Sequence, residues 1–297
     1  MNSRPQAFFS DFGARCFYRP LAPKSDFLCH ADFLKMITLH QLRTGYPGKV
    51  IGRQLSATAQ PGTLTALLGS NGSGKSTLLR TLAALQPPLN SSPDSLLLAG
   101  KPVQQYARYE LARMLSVVLT HRPDSDALTV AEVVEMGRIP YLSTLSAYQR
   151  LWQKSVGADA AAVRQAMEQT ATLPFSHRPL STLSDGERQR VFIAKALAQG
   201  TPVILLDEPT AFLDFPSKVA LMQLLQHLAH HEQKTIILST HDVELALQFA
   251  DHLWLLGTEG IVQGAPATLA ADGSIARFFQ TEGLQFDAAT LRFTVSV

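Results

Sequence analysis

Gly69-Ser70-Asn71-Gly72-Ser73-Gly74-Lys75-Ser76-Thr77 fits the pattern G-x-x-x-x-G-K-S/T of a phosphate-binding loop, with Gly69, Gly74, Lys75 and Ser76 in the fixed places. The apolar run Leu64-Thr65-Ala66-Leu67-Leu68 precedes it and reads as a buried strand. Leu78, Leu79, Leu82 and Leu85 follow at a spacing that gives one apolar helical face. A strand, a tight loop and a helix in that order are the setting in which such a loop works. Gly69, Gly72 and Gly74 carry no Cβ, so the backbone can curl and turn its N–H groups toward an anion. The helix from Lys75 adds the positive end of its dipole. The Lys75 ammonium reaches the β- and γ-phosphates of a bound nucleotide, and the Ser76 hydroxyl is a ligand for Mg²⁺.

The 297 residues suffice for one large domain or two small ones. Hydrophobic residues at 46% and charged residues at 17% suit a globular protein with a sizeable core. A formal net charge of +2 produces no strong field toward nucleic acid, so no nucleic-acid partner is expected. The apolar runs Val203-Ile204-Leu205-Leu206 and Leu253-Trp254-Leu255-Leu256 are too short to span a bilayer. The two cysteines, Cys16 and Cys29, cannot form a disulfide framework, and a reducing compartment is the simpler reading.

Residues 1–35 show neither helical nor alternating period and hold both cysteines, which predicts a poorly ordered extension. They lack the h-region of a secretory signal, and Asp11, Asp26 and Asp32 argue against a transit peptide. A regular pattern starts at Met36, an alternative start to Met1. Strands are expected over 36–42 and 50–59 around a Tyr46-Pro47-Gly48 turn, with Gln60-Pro61-Gly62 leading into the strand before the loop. Pro87-Pro88 is expected to stop the first helix. A strand over 96–98, a helix over 106–114 and a strand over 115–119 follow. Thr129-Val130-Ala131-Glu132 is a capping box for a short helix ending at Gly137. Helices are expected over 148–154 and 159–172, the second with Asp159 as N-cap. Strands over 203–206, 235–238, 252–256 and 261–263 then alternate with helices over 218–231 and 242–250. Such alternation implies a largely parallel sheet covered on both faces.

Asp207 and Glu208 emerge at the end of the apolar strand over 203–206, where open α/β sheets bind ligands. Asp207 is placed to hold Mg²⁺ and Glu208 to polarise the water that attacks the γ-phosphorus. Upstream lies Leu183-Ser184-Asp185-Gly186-Glu187-Arg188-Gln189-Arg190. Ser184 and Gly186 stand before a helix, offering a hydroxyl, N–H groups and a dipole to phosphate. Ser184-x-x-Glu187 also spells a plain capping box.

With that octamer the sequence resembles the ATP-binding-cassette (ABC) family, whose signature is LSGGQ or a near relative; Asp185 and Glu187 are its variant positions here. The resemblance spans residues 36–264, with 265–297 expected as a tail packed on the domain. It implies an α/β fold: a P-loop NTPase with a RecA-like core, a small antiparallel β subdomain, and an α-helical subdomain around 121–185. It implies ATP and Mg²⁺ as cofactors. The loop residues Gly69, Ser70, Asn71, Gly72, Ser73, Gly74, Lys75, Ser76 and Thr77 would hold the phosphates. Tyr46 stands where the family places an aromatic on adenine, with a plain Tyr-Pro-Gly turn as the lesser alternative. Ala211-Phe212-Leu213-Asp214 resembles the D-loop, with Asp214 at the dimer seam. Ser239-Thr240-His241-Asp242 resembles the switch, with His241 on the γ-phosphate. The family's usual Gln after the strand over 115–119 is Thr120 here, followed by His121, so the role of that position is open.

The resemblance further implies a head-to-tail homodimer with ATP between one subunit's loop and the other's Ser184, Asp185 and Gly186. The membrane part is then a separate permease, with a periplasmic or surface substrate-binding protein acting indirectly. The cassette is expected to be peripheral, at the cytoplasmic face of the inner (plasma) membrane. Gly137-Arg138-Ile139-Pro140-Tyr141 is similar to a stretch in importers of ferric siderophores, haem and vitamin B12. An exporter or lipid-transport ATPase is the rival within the family. A soluble ATPase of DNA repair or translation would carry long coiled-coil insertions or two cassettes. A binding module without turnover would need neither Glu208 nor His241.

Overall fold

The computed structural model describes residues 35–90, 92–119, 127–141, 158–211, 213–281 and 283–295. β1 (Ile37–Tyr46) and β2 (Lys49–Ala59) form a hairpin around Pro47-Gly48. β1 also pairs with β4 (Leu96–Leu98), which pairs with β5 (Lys101–Pro102), giving an antiparallel sheet in the order β2-β1-β4-β5. The central sheet has six strands in the order β10-β9-β3-β8-β7-β6. Its members are β3 (Leu64–Leu68), β6 (Leu115–Val118), β7 (Val203–Asp207), β8 (Thr235–Ser239), β9 (His252–Gly257) and β10 (Gly260–Gly264). All run parallel except β10, which returns antiparallel beside β9.

Every residue of β3, β7 and β8 is buried, as expected of strands covered on both faces. The two-residue period divides the side chains of β7 and β8 between two cores. Val203, Leu205 and Ile237 join the core under β1, β2 and the helix α1 (Lys75–Leu82). Ile204, Leu206, Ile236 and Leu238 face the opposite layer. That layer contains α3 (Val130–Glu135), α4 (Ala158–Gln169), α5 (Asp185–Ala198) and α6 (Phe215–Glu232), whereas α2 (Arg108–Met114) leads into β6. At the other edge, Leu253 and Leu255 of β9 pack against α7 (Val243–Phe249), α8 (Pro266–Ala271) and α9 (Ser274–Phe278). Phe286 and Phe293 of a terminal hairpin, β11 (Leu284–Asp287) and β12 (Arg292–Val295), join that third cluster.

Several boundaries differ from the sequence expectation, each for a local reason. Helix α1 ends at Leu82, before Pro87. Ala84 takes a left-handed φ of 52°, and the Leu85 N–H closes back on the Arg80 carbonyl (3.0 Å). Leu85 therefore leaves the apolar face and is exposed. Asp159 does not cap α4; it lies in the helix's first turn, with its carboxylate 2.8 Å from Arg138. Helix α3 stops at Glu135, and a 3₁₀ stretch, Met136–Tyr141, continues past Gly137. Helix α2 starts at Arg108, with Glu110 accepting the Ala107 N–H (3.0 Å). The extension over 1–34 and the helix expected over 148–154 lie outside the described residues.

Candidate functional site

The strand order sets β3, β8 and β7 side by side, and their parallel sense brings their C-terminal ends to one edge. Ser239 is in register with Leu67 on one side and with Asp207 on the other. The phosphate loop leaves β3 just beyond that row. Gly74 caps α1 at φ 101°, a left-handed conformation that favours glycine, and a Cβ there would meet Ile51 Cγ2 at 2.5 Å. The loop closes through the Ser73 N–H on the Ser70 carbonyl (3.2 Å). Lys75 and Thr77 are buried, whereas Ser70, Asn71 and Gly72 face outward. The Ser73 hydroxyl is enclosed and without a hydrogen-bond partner, a polar atom of the loop left for a ligand to satisfy.

Lys75 Nζ donates to the carbonyls of Gly69 (2.9 Å) and Ser70 (3.1 Å). Burial lowers its pKa from the ordinary lysine value, while the charges of Glu208 and Asp207 act in the opposite direction. From the next residue, Ser76 Oγ donates to Asp207 Oδ1 (3.0 Å). Asp207 is buried, and Ser239 Oγ donates to the same Oδ1 (2.7 Å). The Glu208 N–H donates back to Ser239 Oγ (2.9 Å), and Glu208 Oε1 lies 2.7 Å from His241 Nε2. Glu208 holds a left-handed φ of 50°, which turns the chain sharply out of β7. Beyond His241, Asp242 receives Thr210 Oγ1 (3.0 Å) and Lys218 Nζ (3.2 Å).

This edge offers oxygen ligands from one hydroxyl and one carboxylate, the donor type that Mg²⁺ takes. Among the described residues no three His, Cys, Asp or Glu side chains cluster to hold a metal. A Mg²⁺ ion on Ser76 and Asp207 would be completed by phosphate oxygens and water, the usual arrangement in phosphoryl transfer.

The signature segment lies apart from the loop. Ser184 caps α5: its Oγ accepts the Glu187 N–H (3.3 Å), and the Glu187 carboxylate takes both the Ser184 N–H (2.9 Å) and its hydroxyl (3.0 Å). Those bonds hold the Glu187 carboxyl below the usual carboxylate range. A groove of about 750 Å³ separates this turn from the start of α6, bordered by Ser184, Asp185, Gly186, Arg190 and Asp214. No phosphate-loop residue is among the described residues lining it. Asp214 caps α6, its Oδ1 accepting the Ser217 N–H (3.2 Å). Tyr46 sits half exposed at the tip of the first hairpin. Thr120 and Phe212 lie outside the described residues. Arg138 donates to the Ala198 carbonyl (2.7 Å), pairs with Asp159, and stacks 4.0 Å over Tyr141, pinning the Gly137–Tyr141 stretch to α5 and α4.

Sequence reading places Ser239 in the switch segment without giving it a function. Its signal was a hydroxyl at the end of an otherwise apolar strand, the last residue of Thr235-Ile236-Ile237-Leu238-Ser239.

A glycine-rich loop between strand and helix, a buried lysine on that loop, and a strand-end carboxylate bonded to the loop's Ser76 define a P-loop NTPase. A family model for ABC transporters matches residues 53–211. The achromobactin transport ATP-binding protein of Dickeya dadantii is 38% identical over 248 residues, covering 83% of this chain and 88% of that protein. The ferric enterobactin transport ATP-binding protein of Escherichia coli is 36% identical over 240 residues, covering 80% and 85%. A bacterial ABC transporter cassette solved as a dimer superposes with a TM-score of 0.65 at 25% identity, covering 78% of this chain and 99% of that one. The chain belongs to the ABC transporter family, as the ATPase of an importer.

Proposed function

We propose that the chain powers uptake of a ferric siderophore or a related metal chelate through a separate membrane permease. The solute class rests on the relatives, whose names specify achromobactin and ferric enterobactin transport. The hydrolytic part rests on one observation, the unbroken run of hydrogen bonds Ser76–Asp207–Ser239–Glu208–His241 along the strand-end edge. In this reading the loop from Gly69 to Thr77 cradles the phosphates, and Lys75 exchanges its carbonyl partners for β- and γ-phosphate oxygens. Mg²⁺, held by Ser76 and Asp207, would neutralise charge on the phosphates. Glu208 accepts the proton of the attacking water, and His241 holds the γ-phosphate in line. Tyr46 stacks on the adenine.

The working unit is a head-to-tail homodimer in which Ser184, Asp185 and Gly186 of one copy face the phosphate loop of the other, with Asp214 at the seam. Thr120, where the family has Gln, is kept as a position of the nucleotide site with its role open. Among the described residues no helix is long and apolar enough to cross a membrane. The proposed location is peripheral, on the cytoplasmic face of the inner membrane, with a binding protein delivering solute to the permease on the other side. The extension (1–35), the cassette (36–264) and the tail (265–297) are the proposed division of the chain.

The test is Glu208→Gln with the co-purified permease in vesicles. ATP binding should survive, while turnover and uptake of a ferric chelate stop together. Continued hydrolysis would remove Glu208 as the base. Normal hydrolysis without chelate uptake by the wild-type complex would leave an ATPase of another transporter.

A further inference from the structure

We propose that Ser239 is a positioning residue for hydrolysis, its hydroxyl setting the Mg²⁺ carboxylate and the general base in one fixed relation. This rests on the roles proposed for Asp207 and Glu208. The side chain is wholly buried at the end of the strand between the phosphate-loop strand and the carboxylate strand. A serine hydroxyl has one proton to give and lone pairs to receive. Here the proton goes to Asp207 Oδ1 at 2.7 Å, and the oxygen receives the Glu208 N–H at 2.9 Å. One atom therefore touches both acidic residues, the first through its side chain and the second through its backbone.

The second contact has a specific task. At φ 50° the Glu208 backbone departs from the strand direction. A non-glycine residue persists in that conformation only where the surroundings over-determine it. Its N–H is partly buried and needs an acceptor, and Ser239 Oγ provides it. That turn is what swings the Glu208 carboxylate out of the sheet and onto His241. The first contact matters when Ser76 changes partner. Ser76 and Ser239 both donate to Asp207 Oδ1. If the Ser76 hydroxyl turns to a metal ion, the Ser239 bond still fixes the carboxylate's orientation. Alanine at 239 would lose both bonds and leave the partly buried Glu208 N–H without its acceptor.

The experiment uses the full-length chain with its permease, comparing wild type, Ser239→Ala, Glu208→Gln and the double variant. Loss of base geometry predicts that Ser239→Ala lowers kcat by about tenfold to a hundredfold, with KM for ATP held within about twofold. In the Glu208→Gln background the same change should cost clearly less than in the wild type, because the base is already disabled and only the Asp207 contact is left to lose. A wild-type kcat in Ser239→Ala, or a loss carried by KM, overturns the proposal. So does a full multiplicative loss in the double variant. Fast turnover by Glu208→Gln itself would instead remove the assignment on which the proposal rests, whatever Ser239→Ala does.

Discussion

Helices α1 and α5 both begin with N–H groups that can bind an anion, yet the two ends are built in opposite ways. At α1 the cap is Gly74, without a side chain, and a buried lysine enters at the first turn. The side chains gathered there come from the loop, α1, β7 and β8 of one chain. At α5 the cap is Ser184, exposed, with two carboxylates, Asp185 and Glu187, in the first turn. The Ser184 hydroxyl is already bonded to Glu187. In the proposed mechanism the first end is the receptor for phosphate. The second satisfies its own donors, which the proposed dimer would have to exchange for a partner's ligand. In the proposed head-to-tail dimer that inequality would let one half keep the nucleotide while the other lets go.

The contrast can be broken by experiment. The largest expected effect is at the first end: Glu208→Gln should cut turnover by about 10²- to 10⁴-fold, the usual worth of a general base, with ATP binding preserved. Next comes Lys75→Ala, which removes a charged donor. It should weaken ATP binding to the isolated cassette by roughly tenfold to a hundredfold, measurable by nucleotide titration. Ser184→Ala should leave binding to the isolated cassette unchanged. It should instead reduce ATP-dependent dimerisation, read by size-exclusion chromatography, and lower α5 stability by about 1 kcal/mol through the lost cap. Equal damage to monomer binding by Lys75→Ala and Ser184→Ala would erase the distinction.

The smallest effect is in acid. Glu187 and Glu132 sit in matching capping boxes, and both carboxyls are held below their usual range, first by the N–H of the capping residue. Their folded pKa is depressed, so their stabilisation is present above the unfolded glutamate pKa near about 4.3 and is lost as pH falls through the folded value. Glu187→Gln and Glu132→Gln should each flatten the acid limb of the melting-temperature profile slightly. Only Glu187→Gln should also change turnover, because only that box faces the groove beside Asp214.

Much of this was legible in the chain itself. The loop from Gly69 to Thr77 and the strand ending in Asp207 are signals of order, read from fixed spacing and an unbroken apolar run. The strands of the central sheet were recoverable because burial on both faces leaves nearly continuous hydrophobic sequence. Tertiary detail was less accessible. Leu85 has the helical spacing, but the left-handed turn at Ala84 ends the helix first. Asp159 is a good cap by composition, yet Arg138, distant in sequence, uses its carboxylate. Residues after Gly264 carry weak local patterns, and their helices and hairpin gain order from aromatic packing against β9 and α7. Ser239 was invisible as a functional residue because its importance comes from strand register, which joins residues far apart in the chain.

Lys75 resting on the carbonyls of Gly69 and Ser70 has a further consequence. In the proposed mechanism that ammonium is the cation a triphosphate would meet in the cradle. Arrival of a triphosphate would then trade one set of oxygens for another around a single ammonium, and departure would reverse the trade. An engine that must empty and refill on every stroke would keep the same cation at the fuel throughout.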